Sequence, residues 1–259
     1  MHYLGREFMI TLRRDLPLQG SDTVAARQIS LTSSLVAQVH RVLEDPGPEP
    51  SVVYHTEQDY DAVVHQLLAA HAPGHDLWLF AYGSLTWKPE VDHVEERKGT
   101  AHGWHRAFRV RITRWRATES EPGLMMGLDR GGQCRGVLYR IPAATVEESL
   151  GKLVWREMDV KPPTNVPRWI SVATGAGPVQ AMAFAMNRRG RVYAGKVSLE
   201  ETATLLAKAC GHWGSCAEYL RNTVVHLEER GIHDCNLWRL QALLAERIET
   251  ASPESATAP

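Results

Sequence analysis

The chain has 259 residues, 44% of them hydrophobic and 23% charged, with a formal net charge of −1. That length buries a full core and the composition is that of a soluble globular protein, while the near-neutral charge argues against a nucleic-acid-binding surface over the whole molecule. No run approaches about eighteen uninterrupted apolar residues, so no membrane span and no membrane partner are expected.

The opening, residues 1–16, is interrupted by His2, Arg6, Glu7, Arg13, Arg14 and Asp15. It lacks the continuous apolar centre of a secretory signal, so the expected compartment is the cytoplasm. Residues 22–44 carry helical periodicity in their second half, with Leu35, Val36, Val39 and Leu43 on one side. Asp45-Pro46-Gly47-Pro48-Glu49-Pro50 reads as a linker, because three prolines cannot continue a helix. Residues 59–71 read as a second helix, with Val63, Leu67 and Leu68 as its apolar strip.

Strands dominate from Trp78 to Ala185. The run Leu77 to Pro89 is the most informative: an apolar, aromatic-rich strand ends at Tyr82-Gly83-Ser84-Leu85-Thr86-Trp87, and Pro89 stops whatever follows. Gly83 has no Cβ to obstruct a bound group, and consecutive N–H groups in such a turn can converge on an anion or a developing oxyanion. Taken alone, the run also reads as an ordinary strand and turn. Phe108, Val110 and Ile112 alternate with Arg109, Arg111 and Thr113, the period of a half-buried strand. Further strands are expected near 124–129, 134–141, 168–174 and 179–186.

Between the second and third of these lies a helix, Thr145 to Glu157. Thr145 and Glu148 have the spacing of a capping box. Val146, Leu150, Leu153 and Val154 form a core-facing stripe, and Glu157 is its next member. A carboxylate at the buried end of such a stripe has its charged form disfavoured, which moves its pKa toward the range useful for proton transfer. The plain alternative is a structural ion pair with Arg156 or a remote arginine. Helices return over 199–210, 216–230 and 236–249. Residues 250–259 are polar and proline-containing, and are expected to be a disordered tail.

Five arginines, at 106, 109, 111, 114 and 116, fall within eleven residues beside Trp104 and Trp115. Stacking on single-stranded nucleic acid is one reading, but Glu119 and Glu121 follow at once, and the solvated face of a strand is preferred. Cys210, His212, Cys216, His233 and Cys235 lie within twenty-six residues. Their spacing is a poor version of the close ligand pairs that zinc uses. Small cysteines buried between C-terminal helices account for them better, so no metal is expected. Ser84 is not in a Gly-x-Ser-x-Gly elbow, and Gly175-x-Gly177 lacks the third glycine of a dinucleotide fingerprint.

The chain resembles the ChaC-type γ-glutamylcyclotransferases, the glutathione-degrading branch of their superfamily. The resemblance runs from about Asp76 to about Asp234. It is carried by Tyr82-Gly83-Ser84-Leu85, by Gly103-Trp104-His105-Arg106-Ala107-Phe108, by Gly136-Val137-Leu138-Tyr139-Arg140-Ile141-Pro142 and by Arg156-Glu157-Met158, in that order. It implies an α+β fold, a small mixed β-barrel surrounded by helices over residues 71–249, with residues 1–70 as a helical N-terminal extension. It further implies cleavage of glutathione to 5-oxoproline and Cys-Gly without a cofactor, with Glu157 as general acid/base. Tyr82, Gly83, Ser84, Leu85, Thr86 and Trp87 would bind the γ-glutamyl substrate, together with Tyr193 of a downstream Tyr-x-Gly. Arg114 or Arg116, at the end of their strand, are the arginines placed to hold the glycine carboxylate. One departure stands out. Family members commonly place glycine and tyrosine after the Arg-Glu pair, where this chain has Asp159-Val160-Lys161-Pro162-Pro163. That puts the leaving group in question and keeps two alternatives open, another γ-glutamyl amide as substrate or a non-catalytic regulatory relative. Oligomeric state is not specified by any segment.

Overall fold

A computed structural model of the protein describes residues 28–251. Residues 1–27 and 252–259, and with them most of the expected tail and the start of the extension, lie outside the described residues.

The helix α1 (Ser33–Val39) is capped by Thr32, whose side chain accepts from the Leu35 N–H. It stops before Leu43, earlier than the apolar pattern suggests. The strand β1 (Val53–Tyr54) follows the proline-rich linker, and α2 (Glu57–Ala69) opens with a capping box between Thr56 and Asp59. Then come β2 (Leu77–Ala81), the long hairpin β3 (Glu95–Ile112) and β4 (Gly123–Ile141), and α3 (Val146–Glu157). The strands β5 (Val160–Lys161), β6 (Asn165–Thr174) and β7 (Gly177–Met186) lead to α4 (Leu199–Lys208). A small hairpin of β8 (Cys210–Gly211) and β9 (Gly214–Ser215) precedes α5 (Cys216–Glu229) and α6 (Cys235–Ala251).

Five strands close into a barrel in the order β2-β4-β3-β6-β7. Neighbours along that order are antiparallel, and the seam between β7 and β2 is parallel, with Leu79 opposite Met182. The barrel is therefore mixed. Alternation puts Ala101, Trp104, Phe108 and Val110 of β3 inside, and Leu79, Leu138, Val172 and Phe184 complete the core. Gly99 and Gly136 face each other across β3 and β4. A Cβ on Gly136 would lie 2.5 Å from the Ala81 carbonyl oxygen, and one on Gly99 would lie 2.5 Å from Val172 Cγ1. The strands pack too closely there for any side chain.

Three expectations are corrected. The strands expected at 124–129 and 134–141 are one continuous strand. Gly131 and Gly132, between the two expected spans, are a bulge opposite Gly103, and the ladder runs on from Arg130 to Gln133 with a register shift. Thr145 forms no side-chain cap; its hydroxyl donates to the Pro142 carbonyl, and Glu148 pairs with Lys152 one turn on. Thr250 belongs to α6 and not to a tail.

Of the five arginines expected on a solvated face, only Arg111 is exposed. Arg106 keeps only 2% of its side chain exposed and pairs with Asp234. Arg109 pairs with Asp129, Arg114 with Asp45 and Arg116 with Glu218. These cations are neutralised within the fold and tie distant segments to β3.

Candidate active site

The stripe of α3 behaves as its spacing predicts: Val146, Leu150, Leu153 and Val154 are buried in the hydrophobic core, and the helix packs on α2. Each fully buried side chain of this kind is worth about 1.5–3 kcal/mol. That packing fixes the helix and so places its last residue, Glu157, where its charge reaches Tyr82 and Tyr219. The Glu157 side chain is 15% exposed. Burial pushes its carboxyl above the ordinary range. Arg156 opposes the shift, while Glu90 and Asp159 add to it. Its ion-pair partner is the neighbouring Arg156, with Nε 3.2 Å from Oε1.

Arg156 does more than pair with Glu157. Its Nη2 donates to Ser84 Oγ at 3.0 Å, and its Nη1 donates to the Lys88 carbonyl at 2.5 Å and lies 3.2 Å from Glu90. One guanidinium thus joins the end of α3 to the glycine turn. The turn itself is a 3₁₀ segment, Ser84–Thr86. The N–H groups of Thr86 and Trp87 donate back to the carbonyls of Gly83 and Ser84, as does that of Lys88 to Ser84. This leaves the Gly83 and Leu85 N–H groups outside the turn's own bonding, while the Ser84 N–H donates to the Tyr219 phenol oxygen.

Of the other residues singled out from sequence, Tyr82 is buried, donates its hydroxyl to the Phe184 carbonyl at 2.8 Å and feels the charge of Glu157. Thr86 is fully buried, with its hydroxyl on the Gly83 carbonyl at 2.7 Å, and the Tyr139 hydroxyl donates to the Thr86 carbonyl at 3.0 Å. It builds the turn from behind. Leu85 is buried beneath it, and Trp87 lies edge-on to Tyr219, 5.5 Å between ring centroids, and stacks on His226. Tyr193 is held differently: its hydroxyl donates to Asp129 at 3.2 Å, in a cluster with Arg109 and Arg188. The structure joins it to that cluster and not to the turn.

Sequence reading missed Tyr219. It lies on the buried stripe of α5, and its hydroxyl would be 3.0 Å from a Cβ placed on Gly83. Burial, and then the charge of Glu157, push its phenol up to about 12, so it is a neutral donor at the pocket. Only the spacing of α5 hinted at it, and that pattern is indistinguishable from ordinary core packing. Arg116 stacks over the Tyr219 ring, 5.8 Å from its centroid. The candidate site thus gathers a raised carboxyl, two protonated phenols, a side-chain-free glycine and turn N–H groups. Such a set can move one proton and hold an anion or a carbonyl oxygen.

The segment after Glu157 has its own cover. β5 pairs antiparallel with β1, placing Val53 opposite Lys161 and Tyr54 opposite Val160. The His55 N–H donates to the Asp159 carbonyl at 3.0 Å, and Lys161 pairs with Asp59. The cysteine-rich stretch shows no ligand geometry: among the described residues no cluster of three or more His, Cys, Asp or Glu could hold a metal ion. The buried Cys210 and Cys216 thiols donate to the carbonyls of Arg41 and Arg116. Among the described residues no helix is long and apolar enough to cross a membrane.

A family model described as "ChaC-like protein" matches residues 77–247. An Escherichia coli K12 protein named glutathione-specific gamma-glutamylcyclotransferase is 35% identical over 205 residues, covering 77% of this chain and 87% of that protein. A mouse protein named glutathione-specific gamma-glutamylcyclotransferase 1 is 33% identical over 151 residues, 56% of this chain and 66% of the mouse protein. A crystal structure titled as a γ-glutamyl cyclotransferase specific to glutathione from yeast superposes with a TM-score of 0.59. It is 20% identical and covers 70% of this chain and 98% of its own, so it establishes the shared fold. Barrel, turn and α3 carboxylate all lie within the matched span, and the chain belongs to the ChaC-like family.

Proposed function

We propose that the protein is a γ-glutamylcyclotransferase that cleaves glutathione to 5-oxoproline and Cys-Gly. The observation that carries this reading is the delivery of Glu157, with a raised carboxyl pKa, to a glycine turn held by Arg156. The names of the Escherichia coli and mouse relatives supply the substrate.

The reaction is an intramolecular aminolysis. The α-nitrogen of the γ-glutamyl group forms a bond to its own γ-carbonyl carbon, closing a five-membered lactam, and the bond from that carbon to the cysteine nitrogen breaks. Both reacting atoms belong to one molecule, so holding the curled conformer is worth much of the barrier. An α-ammonium has no lone pair to attack with. Glu157 takes one proton from it to free the lone pair and a second as the new C–N bond forms, and each is returned to the cysteine nitrogen, which departs as an ammonium; a carboxyl with a raised pKa suits this exchange near neutral pH. The N–H groups of Gly83 and Leu85, with the neutral phenol of Tyr219 oriented by the Ser84 N–H, stabilise the oxyanion or the substrate α-carboxylate. Tyr82 and Trp87 wall the pocket. These side chains account for the proton and charge bookkeeping with no cofactor, and the free thiols suit a cytoplasmic setting.

The test is direct. Purified protein incubated with glutathione in the presence of a metal chelator is expected to release 5-oxoproline and Cys-Gly in equal amounts. Turnover that vanishes with chelator and returns with zinc contradicts the base-only mechanism. Release from another γ-glutamyl amide but not from glutathione moves the assignment to that substrate.

A further inference from the structure

The linker between α1 and β1 is folded onto the barrel by two carboxylates. Asp45 grips Arg114 at the end of β3: Nη2 lies 2.8 and 2.9 Å from its two oxygens, and Nε lies 3.2 Å from Oδ1. Glu49 accepts from the Thr113 hydroxyl at 3.0 Å, and its own N–H donates to the Tyr54 hydroxyl. Tyr54 is in turn paired with β5, two strand residues beyond the catalytic helix. Arg116, next but one in sequence to Arg114, stacks on Tyr219 at the pocket. Arg114 thus lies just past β3, two residues from a side chain that touches Tyr219, and the linker that holds it also reaches β5, in the segment where this chain departs from its relatives.

The two partners are unequal. Arg114 is packed in place, 11% exposed and lying over the Trp115 ring at 4.2 Å. Asp45 is 47% exposed and comes from a proline-rich connection with no secondary structure. A fixed guanidinium with a replaceable carboxylate is the geometry of a carboxylate receptor, since Arg binds carboxylates in a fork whichever molecule supplies them. By contrast Arg116 is tied to both Glu218 and the Ser215 carbonyl, within its own corner of the fold.

We infer that Arg114 selects substrates whose leaving group ends in a carboxylate, and that Asp45 of the N-terminal extension competes with that carboxylate for the guanidinium. The inference rests on the cyclotransferase reading and deepens it. The γ-glutamyl end is set by the turn and Glu157, and the far end of the peptide is set by Arg114, with Asp45 in its place until the substrate carboxylate displaces it. The proline-rich segment thereby becomes part of the specificity machinery and not only a connection.

The experiment compares glutathione with its C-terminal glycine amide, reading 5-oxoproline release from both on the same preparation of the full chain. The quantity of interest is the ratio of kcat/KM for acid over amide, from which any loss of folded protein cancels. Wild type is expected to prefer the acid. Arg114→Gln is expected to cut that preference about tenfold or more, the size of a charge-assisted hydrogen-bonded pair. Asp45→Asn is expected to raise it, through a lower KM for the acid alone. An unchanged ratio in both variants overturns the inference and leaves the cyclotransferase assignment standing, as does a parallel fall for acid and amide. Wild-type protein that releases 5-oxoproline from neither peptide overturns the assignment itself, and the role of Arg114 with it.

Discussion

The Tyr219 hydroxyl and Gly83 are packed so closely that a Cβ on the glycine would lie 3.0 Å from the oxygen, with Met126 Sδ at 3.7 Å. Residues far apart in sequence meet there because α5 docks against the turn after β2. Gly83 is thus needed to admit Tyr219, apart from the part proposed for it in binding substrate.

This predicts a measurable coupling. Gly83→Ala is expected to lower Tm and turnover, since the Tyr219 oxygen must shift by a few tenths of an ångström. Gly83→Val is expected to abolish turnover. In a Tyr219→Phe background the alanine substitution meets no hydroxyl, so its cost in stability should shrink by about 0.5 kcal/mol or more, a double-mutant coupling typical of touching residues. Additive thermal shifts would show that the two residues do not meet.

Arg156 is predicted to act through the turn as well as through Glu157. Arg156→Met removes the bonds to Ser84, the Lys88 carbonyl and Glu90. It also leaves Glu157 without its cation, so the carboxyl pKa should rise further. The acidic limb of the kcat profile is then expected to move to higher pH, with a higher KM from the loosened turn. An unmoved limb would contradict the assigned electrostatics.

Asp129 gives a prediction about stability alone. It is 1% exposed; burial pushes its carboxyl up, but Arg188, the Arg130 N–H and Arg109 outweigh this and hold it at about 2, against an ordinary 3.8. A carboxyl lowered in the folded state contributes stability above its unfolded pKa and loses it as pH falls through the folded one. The contribution is about 2 kcal/mol at neutral pH, lost between about pH 4 and pH 2. Denaturant unfolding of Asp129→Asn should show that loss at neutral pH and a flatter acid dependence. A variant as stable as wild type, with the same acid transition, would refute it.

Local pattern located the helices, the glycine turn and Glu157, because each is written in consecutive side chains. Closure of the barrel was not legible that way: the seam between Leu79 and Met182 depends on segments about a hundred residues apart, and it was expected only from the family resemblance. The unbroken run of β4 was not legible either, because the Gly131-Gly132 bulge uses the same positive-φ glycines as a turn. The pairing of Arg114 with Asp45 and of Arg116 with Glu218 turned an apparently solvated strand end into a tied one, and no local pattern encodes such long-range partners. Arg156 shows the opposite lesson. It was the expected structural partner of Glu157, and that pairing exists, yet the same guanidinium also assembles the site.

The role of Glu157 is tested most directly by Glu157→Gln, with kcat for glutathione and Tm measured on one preparation. Removing a general base costs typically about 10²–10⁴-fold in rate. Stability should hold or rise, because a neutral amide is easier to bury than a carboxylate and Arg156 keeps Ser84, the Lys88 carbonyl and Glu90 as partners. The account therefore predicts a folded protein with Tm at or above the wild-type value and a rate at least a hundredfold lower, roughly the lower bound of that range. A clear fall in Tm with near-normal turnover in the folded fraction would make Glu157 a structural ion pair, and a stable variant turning over at the wild-type rate would remove it from the mechanism.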